Sequence, residues 1–343
     1  MTRLRRDTSL SNHRSAFPFF SFQGGADVFE GFQAGEIETE ETKIFFRRAG
    51  QGEPLLLLHG FPETHVMWRA VAPLLTQNFE VVCADLRGYG RSGCPASTPD
   101  HAPYSKRAMA EDMVRLMDHL GVSRFSVAGH DRGGRVAYRM ALDHPDRIHR
   151  LAVLDIVPTA MAWDRADAEF ALAYWPWSLL AQPAPLPERV LSVAGEAIIN
   201  AALGGWGSPA ATFPPEVVAA YVEAIQDAAH IHAICEEYRA AATIDRDHDA
   251  ADARAGRRIA CPLLALWSAN GPVGTWYDRD GGPLGLWRRM SHDARGSVLN
   301  AGHFFPEEAP HQTAHALTHF FLADPGDPRP HSAPAAMPKK SAG

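Results

Sequence analysis

The sequence lacks the patterns that mark disulfide scaffolds, metal-binding modules and membrane proteins. Its four cysteines are widely scattered with no Cys-x-x-Cys pair, and no apolar run reaches the length of a membrane span. Positive charge is not in excess either, because 33 basic residues stand against 40 acidic ones and the formal net charge is −7. We therefore expect a cytoplasmic protein without a structural metal site and without a nucleic-acid or membrane partner.

Both ends of the chain differ in composition from its middle. Residues 1–28 include basic residues but no apolar stretch of signal-peptide length, so we interpret them as a flexible leader. Residues 324–343 are rich in proline, serine and alanine, a composition that predicts a disordered tail. The chain as a whole is 46% hydrophobic and 21% charged, which is typical of a globular protein.

Short apolar runs alternate with helical patterns along the chain. This alternation predicts an α/β fold with a mostly parallel central sheet. The apolar residues of 105–120 recur at helical spacing, and Gly121 is the expected end of that helix. Residues 37–39 and 43–48 predict an antiparallel edge hairpin ahead of the parallel strands, whose six apolar runs lie at 55–58, 80–84, 125–128, 151–154, 263–266 and 297–299.

The regular alternation breaks between residues 157 and 259. This stretch is rich in alanine, tryptophan and proline and has no convincing strand, but helical patterns cover 164–180 and 215–238. We expect it to form an inserted helical cap over the carboxyl ends of the strands, where ligands bind in open α/β sheets. The predicted core then consists of residues 29–156 and 260–323.

The most informative motif is the turn Gly129-His130-Asp131-Arg132-Gly133, which follows an apolar run. Its Gly-x-nucleophile-x-Gly spacing is that of a nucleophile elbow, and the aspartate stands where such hydrolases usually carry a serine. A carboxylate is already anionic, so it can displace a leaving group from a saturated carbon and become an ester. Two arginines near this aspartate suggest that the molecule attacked is itself negatively charged.

Two further residues complete a candidate catalytic triad with Asp131. Asp155 and His303 each follow an apolar run, so all three should emerge at the same sheet edge, in the nucleophile, acid, histidine order of the α/β-hydrolase fold. The run ending at residue 266 has no carboxylate directly after it, which gives the acid role to Asp155, with Asp278 and Asp280 as substitutes. The alternatives to these catalytic roles are that Asp155 only caps a helix and that His303 only satisfies hydrogen bonds within a turn.

The loop at residues 59–64 follows the first central run. The main-chain N–H of Phe61 and that of Arg132 would form an oxyanion hole beside the nucleophile. The alternative is that His59 and Gly60 only shape a tight turn, and both interpretations can hold together. We interpret the loop at residues 85–92 as structural.

From about residue 29 to 323 the chain resembles the fluoroacetate and haloacetate dehalogenases of the α/β-hydrolase superfamily. The Asp-Arg-Gly-Gly-Arg sequence at 131–135 is the most specific match, because epoxide hydrolases and haloalkane dehalogenases generally carry tryptophan after the nucleophile. The resemblance implies that Arg132 and Arg135 clamp a substrate carboxylate, that no cofactor is needed, and that a homodimer is plausible. For Arg135 the alternative is an ion pair with a surface acid.

The resemblance also implies a halide cradle in the cap, built by a histidine–tryptophan pair and a tyrosine. Trp177 and Tyr238 take the places of the tryptophan and the tyrosine, but Pro176 stands where the family has its histidine. Proline donates no hydrogen bond, and fluoride needs strong donors as charge builds on it. The expected reaction is therefore hydrolysis of short anionic 2-haloacids by water, through an ester on Asp131, with chloride and bromide released more readily than fluoride.

Two other functions compete with this hypothesis. An epoxide hydrolase would share the Asp131 nucleophile and open the ring with two cap tyrosines, for which Tyr174 and Tyr238 are the candidates. A neutral epoxide has no use for paired arginines, which counts against it. A non-catalytic binding module of the same fold usually lacks a triad member, whereas all three are present in this sequence.

Two polar segments resemble metal sites only superficially. Residues 245–249 begin like a calcium loop, but the glycine and the glutamate that such a loop requires are missing, so we interpret them as a solvated acidic turn. His311, His315 and His319 fall at helical spacing without a supporting carboxylate motif. We interpret them as a solvent-facing stripe on a helix.

Overall fold

An eight-stranded sheet crosses the centre of the computed structural model, which describes residues 29–323. The predicted leader and tail lie outside these residues. The spatial order is β1-β2-β4-β3-β5-β6-β7-β8. In chain order the strands are β1 (Gln33–Glu38), β2 (Lys43–Ala49), β3 (Glu53–Leu58), β4 (Phe79–Ala84), β5 (Phe125–His130), β6 (Ile148–Leu154), β7 (Leu263–Ser268) and β8 (Ala294–Leu299).

The sheet is mostly parallel, as the sequence predicts. Strands β1 and β2 form an antiparallel hairpin, and β2 also pairs antiparallel with β4. Every other pairing in the sheet is parallel. Leu55 to Leu58 in β3 are fully buried, because helices cover both faces of a parallel sheet and its central strands can be apolar throughout.

Within residues 29–323, seven α-helices flank the sheet outside the insertion. The helix predicted over 105–120 is confirmed: the Ser105 hydroxyl caps its start by accepting a hydrogen bond from the N–H of Ala108, and Gly121 follows its end with φ of 76°. The seven are α1 (Ala72–Leu75), α2 (Lys106–His119), α3 (Asp131–Asp143), α11 (Val273–Trp276), α12 (Gly282–Met290), α13 (Phe305–Glu308) and α14 (Pro310–Leu322). The predicted histidine stripe lies on α14 with all three side chains exposed.

The remaining helices form the insertion between β6 and β7, so this helical region is present as predicted. They are α4 (Thr159–Asp164), α5 (Ala168–Ala173), α6 (Trp175–Leu180), α7 (Leu186–Leu203), α8 (Pro215–Glu223), α9 (Ala228–Ala242) and α10 (Ile244–Arg254). Between residues 29 and 323, no helix is long and apolar enough to cross a membrane.

The predicted helices of the insertion were too long, and three helices were missed. The pattern over 164–180 is divided between α5 and α6, because the Asp167 carboxylate caps a new helix start at the N–H of Phe170. The pattern over 215–238 is divided between α8 and α9 in the same way, since the Asp227 carboxylate caps α9 at the N–H of Ala229. Helices α4, α7 and α10 were not predicted.

The interpretation of residues 245–249 as a solvated acidic turn was wrong. These residues lie in α10, and its carboxylates Asp245, Asp249 and Asp252 are buried. Arg139 of α3 donates to Asp249 at 2.8 Å and to Asp252 at 2.5 Å. The acidic residues are buried because basic side chains of the core, distant in sequence, compensate their charge.

Candidate active site

Asp131 begins α3 directly after β5, at a turn that only glycine-flanked chains can make. Its backbone has φ of 42°, a left-handed conformation that is costly for aspartate and common at functional turns. A Cβ atom on Gly129 would lie 2.3 Å from the carbonyl oxygen of Gly133, and one on Gly133 would lie 2.5 Å from that of His59. The two glycines therefore allow the close approach that aims the Asp131 carboxylate away from the helix.

The Asp131 carboxylate is buried and ionised. Burial raises its pKa, but the charges of Arg132, His303 and Arg135 outweigh this effect and hold the pKa below its usual value. The N–H of Phe61 donates to Asp131 Oδ2 at 3.0 Å, so one of the two predicted oxyanion donors already contacts the carboxylate. The N–H of Arg132 lies in the first turn of α3, where helical N–H groups have no carbonyl partner within the helix.

His303 and Asp155 contact each other next to the elbow. His303 Nδ1 and Asp155 Oδ2 are 2.6 Å apart, and the other Asp155 oxygen accepts hydrogen bonds from the N–H and the hydroxyl of Ser268 at 2.7 and 2.9 Å. The carboxylate thus serves the histidine and the end of β7 rather than capping a helix. The substitute Asp280 instead binds Arg165, so the structure places it with a different partner.

His303 Nε2 is buried and has no hydrogen-bond partner within residues 29–323. This is the nitrogen that a general base would use, because Nδ1 is held by Asp155. Aromatic rings surround the imidazole, with centroid distances of 4.6 Å to His130 and 5.2 Å to Trp206. The Trp206 carbonyl also accepts the N–H of His303 at 2.9 Å, a contact between the inserted helices and the core that the sequence did not indicate.

Arg132 is fully buried and its guanidinium is held by a residue of α9. Its Nε donates to both carboxylate oxygens of Glu237, at 2.8 and 2.9 Å, and its Nη2 donates to one of them at 2.5 Å. In the described part of the chain its Nη1 has no hydrogen-bond partner. The guanidinium carbon lies 4.1 Å from the ring centroid of Tyr238, so one face of the cation packs on an aromatic ring.

Arg135 is also buried, but no carboxylate in residues 29–323 forms an ion pair with it. Its Nη1 donates to the carbonyl of Val157 at 2.9 Å and to the hydroxyl of Thr159 at 3.2 Å, and its Nε has no partner. Burial and the neighbouring charge of Arg132 lower the pKa of Arg135. The alternative that Arg135 pairs with a surface acid is wrong, because the side chain points into the interior.

The two predicted halide-binding residues lie on the two arginines. The Arg135 guanidinium is 4.5 Å from the ring centroid of Trp177, and Arg132 contacts the rings of both Trp177 and Tyr238. Burial raises the pKa of Tyr238 well above its ordinary value, so its hydroxyl keeps a proton to donate. Pro176 lies in the first turn of α6 beside Trp177, and its ring nitrogen has no hydrogen to donate.

A small cavity lies against some of these groups. Asp131, Arg135 and Asp155 contribute its charged lining, whereas Arg132, His303 and Tyr238 do not line it. Its remaining walls are mostly apolar and aromatic side chains, among them Phe170, Tyr174, Trp177, Val273 and Tyr277. Its free volume of about 10 Å³ is space for roughly one water-sized sphere, so a larger ligand requires side chains to move.

Several residues of the site were not found from the sequence. Glu237, which holds Arg132, directly precedes the predicted halide residue Tyr238 on α9. Its position three residues after the buried Ile234 places it on the buried face of that helix, which is the signal that indicates an internal partner. Ser268 and Tyr277 carry no comparable signal, because one ends β7 and the other follows it without a recognisable motif.

Comparison with known proteins gives the relatives of this chain. Residues 53–310 match the family model of the alpha/beta hydrolase fold. The chain is 44% identical to a fluoroacetate dehalogenase from Burkholderia sp over 85% of this chain and 95% of that protein. It is 30% identical to a soluble epoxide hydrolase from Corynebacterium sp. (strain C12), over 81% and 93% respectively. The crystal structure of a putative alpha/beta hydrolase from Nostoc sp PCC 7120 is 48% identical, covers 86% of this chain and 100% of its own, and gives a TM-score of 0.83.

Proposed function

We propose that this chain, which belongs to the fluoroacetate dehalogenase-like α/β hydrolases, removes halide from short 2-haloacids through an ester on Asp131. Its relatives make it a hydrolase of the dehalogenase and epoxide hydrolase kind. The choice between these two chemistries depends on whether the substrate carries a negative charge.

The observation that carries the proposal is a pair of buried arginine nitrogens that have no hydrogen-bond partner within residues 29–323. A buried donor without a partner is costly, so the pair favours a ligand that accepts hydrogen bonds from both. Arg135 Nε and Arg132 Nη1 are both buried without hydrogen-bond partners in residues 29–323, close to the Asp131 carboxylate. A substrate carboxylate between these two nitrogens would satisfy both of them and present its α-carbon to Asp131.

The proposed reaction has two steps. In the first, an Asp131 oxygen attacks the halogen-bearing carbon, the carbon–halogen bond breaks, and the halide leaves with the bonding electrons toward Trp177 and Tyr238. In the second, His303 Nε2 removes a proton from water, and the resulting hydroxide attacks the ester carbonyl while the N–H groups of Phe61 and Arg132 stabilise the oxyanion. Collapse releases a 2-hydroxyacid and restores the carboxylate.

We further propose that chloride and bromide leave more readily than fluoride. Pro176 removes one hydrogen-bond donor from the halide side, which leaves the indole N–H of Trp177 and the hydroxyl of Tyr238. By analogy with oxyanion holes, one donor contributes about 2.7–4 kcal/mol to a transition state that accumulates charge. The weaker carbon–chlorine and carbon–bromine bonds depend less on such help. The Burkholderia relative is named a fluoroacetate dehalogenase, which makes fluoroacetate the informative comparison.

An epoxide hydrolase is the second candidate, favoured by the Corynebacterium relative and by the tyrosines near the cavity. Tyr174 and Tyr238 would protonate the epoxide oxygen as Asp131 opens the ring. A neutral epoxide has no carboxylate to accept hydrogen bonds from Arg135 Nε and Arg132 Nη1, which is why we place this candidate second.

One experiment separates these functions. Free halide is measured after incubation with chloroacetate, bromoacetate and fluoroacetate, and diol is measured after incubation with styrene oxide. We expect halide from chloroacetate and bromoacetate, less from fluoroacetate, and no diol. Diol formation without halide release supports the epoxide hydrolase, and the absence of both products supports a non-catalytic module.

We also propose that the protein forms a homodimer, as its resemblance to the dehalogenase family implies. The molar mass in solution tests this, and a wild-type protein that is monomeric at high concentration would exclude the homodimer.

A further inference from the structure

We propose that Glu237 and Lys106 are positioning residues that set the charge selectivity of the site, on the basis of the proposed function. Glu237 fixes the Arg132 guanidinium so that Nη1 is the donor left for the substrate carboxylate. Lys106 balances the negative charge of Glu237 so that Arg132 remains attractive to an anion. Neither residue lines the cavity.

The first argument is geometric. Glu237 binds Arg132 through Nε and Nη2, which are the two nitrogens on one edge of the guanidinium. The ring of Tyr238 covers one face of the same group at 4.1 Å. Because both the arginine and the glutamate side chains are fully buried, the guanidinium cannot turn without breaking these contacts. Arg132 therefore offers one nitrogen at a fixed position.

The second argument is the balance of charge around Glu237. Lys106 Nζ, at the start of α2, donates to the same Glu237 oxygen that accepts from Arg132, and it lies 3.5 Å from a carboxylate oxygen of Asp245. All four side chains are buried. With two cations and two anions the cluster is neutral. Without Lys106 it would carry one net negative charge beside the carboxylate-binding arginines and would repel an anionic substrate.

The ionisation of the cluster is consistent with this balance. Burial raises the pKa of Glu237, but Arg132 and Lys106 outweigh it and hold the pKa below its usual value, so the glutamate is charged. Burial lowers the pKa of Lys106, and the nearby Arg132 lowers it further, although Glu237 and Asp245 oppose this. Rising pH therefore removes the charge of Lys106 before any other positive charge in the cluster.

The test uses acetate as a non-reactive anion and acetamide as its neutral counterpart, with binding followed by tryptophan fluorescence or calorimetry. Lys106→Gln should weaken acetate binding about tenfold, because it leaves the cluster with one uncompensated negative charge. Glu237→Gln should not weaken acetate binding, and the double variant should return close to the wild-type acetate affinity. Acetamide binding should change little in all three variants. Arg115→Gln, which removes a partly exposed charge from the same helix, is the matched control.

A purely structural role for this cluster predicts a different pattern. Lys106→Gln and Glu237→Gln would then each weaken the binding of acetate and of acetamide to the same extent. The double variant would have the lowest affinity for both ligands, and this result would overturn the proposal. Thermal unfolding of each variant shows whether it folds, and Lys106→Arg, which keeps the charge, should restore acetate binding. In wild type, acetate affinity should fall at alkaline pH, and Lys106→Gln should lose this dependence.

Kinetics with chloroacetate separates the two proposed roles. Lys106→Gln should raise KM about tenfold with kcat nearly unchanged, whereas Glu237→Gln should lower kcat by at least about tenfold, because the Arg132 side chain is no longer fixed. If the acetate affinities of wild type and the variants follow the expected pattern but wild type releases no halide, the proposed reaction is wrong and this inference stands. If wild type releases halide but the acetate pattern is absent, only this inference fails.

Discussion

Replacing Arg135 by methionine should weaken the enzyme and yet leave the fold at least as stable. Arg135 is a buried cation without a carboxylate partner in residues 29–323, and its guanidinium packs 4.5 Å from the Trp177 ring. Methionine keeps an unbranched apolar stem in this place. The variant loses the hydrogen bonds to Val157 and Thr159, each contributing about 1 kcal/mol. It also loses the desolvation cost of the charge, which is several kcal/mol and which outweighs the attraction to Asp131, since the pKa of Arg135 is lowered overall.

Arg132 gives the matched comparison, since it stands in the same turn of α3. Arg132→Met would strand Glu237 as a buried carboxylate, and breaking a buried ion pair in this way costs about 3–5 kcal/mol. Lys106 offsets a part of that cost by its contact with the same glutamate. We therefore expect Arg132→Met to be clearly destabilised, in contrast to Arg135→Met.

Both variants should lose catalytic efficiency with anionic substrates. A buried charge pair with a ligand contributes about 2–5 kcal/mol, so kcat/KM for chloroacetate should fall by roughly 30-fold to several thousand-fold in Arg135→Met. The loss should appear largely as a raised KM, because the carboxylate is bound in the ground state as well as in the transition state. Excess acetate should stabilise wild type against unfolding but leave Arg135→Met unchanged.

The assay combines urea denaturation with steady-state halide release for both variants. If Arg135→Met loses as much unfolding free energy as Arg132→Met, Arg135 has a stabilising partner in the folded protein and the stability prediction is wrong. If Arg135→Met keeps wild-type kcat/KM for chloroacetate, no substrate carboxylate depends on Arg135 and the catalytic prediction is wrong.

Three other predictions address the nucleophile, the halide side and a buried histidine. His303→Asn should stop the second step alone, so that mass spectrometry finds an adduct on the Asp131 peptide after incubation with chloroacetate; an unmodified peptide argues against the ester. Pro176→His should restore a donor and raise the ratio of fluoride to chloride release by roughly tenfold or more, and an unchanged ratio means that this position does not face the halide. Burial lowers the pKa of His130, but the Glu63 carboxylate outweighs it and raises the pKa to about 9. The stability that protonated His130 contributes is therefore complete below about pH 6.5, is lost as the pH rises through about 9, and amounts to about 3 kcal/mol. Urea denaturation should show that fall in wild type and a flatter profile in Glu63→Gln, and equal profiles would disprove the coupling.

The parts of the fold that were predicted correctly depend on residues close together in sequence. An apolar run such as Leu55 to Leu58 specifies a buried strand by itself, and the glycines at 129 and 133 specify the elbow within five residues. The carboxyl ends of parallel strands share one edge, so residues that follow different strands can be placed together without knowing their partners. This reasoning brought Asp131, Asp155 and His303 to one edge of the sheet, where the structure has them.

The parts that were missed depend on partners distant in sequence. The acidic residues of α10 were interpreted as solvated because their sequence neighbours are polar. Their negative charge is instead compensated by Arg139, which lies more than a hundred residues earlier in the chain. The breaks in the inserted helices had a local signal that the prediction did not use, since Asp167 and Asp227 are each followed by a helical pattern that they cap.

The two arginines of the elbow show why composition and motif alone cannot assign energetic roles. Arg132 and Arg135 are three residues apart on one helix. From the sequence both are interpreted in the same way, as cations near the Asp131 carboxylate. The structure gives Arg132 a hydrogen-bonded carboxylate in Glu237, whereas within residues 29–323 Arg135 donates to backbone and hydroxyl oxygens and has the Asp131 carboxylate as a nearby charge. Burial still lowers the pKa of Arg135, so the attraction of Asp131 does not offset the desolvation of the cation. An apolar residue at this position would therefore cost the fold less, and our proposal explains the arginine by a substrate carboxylate that accepts a hydrogen bond from Nε.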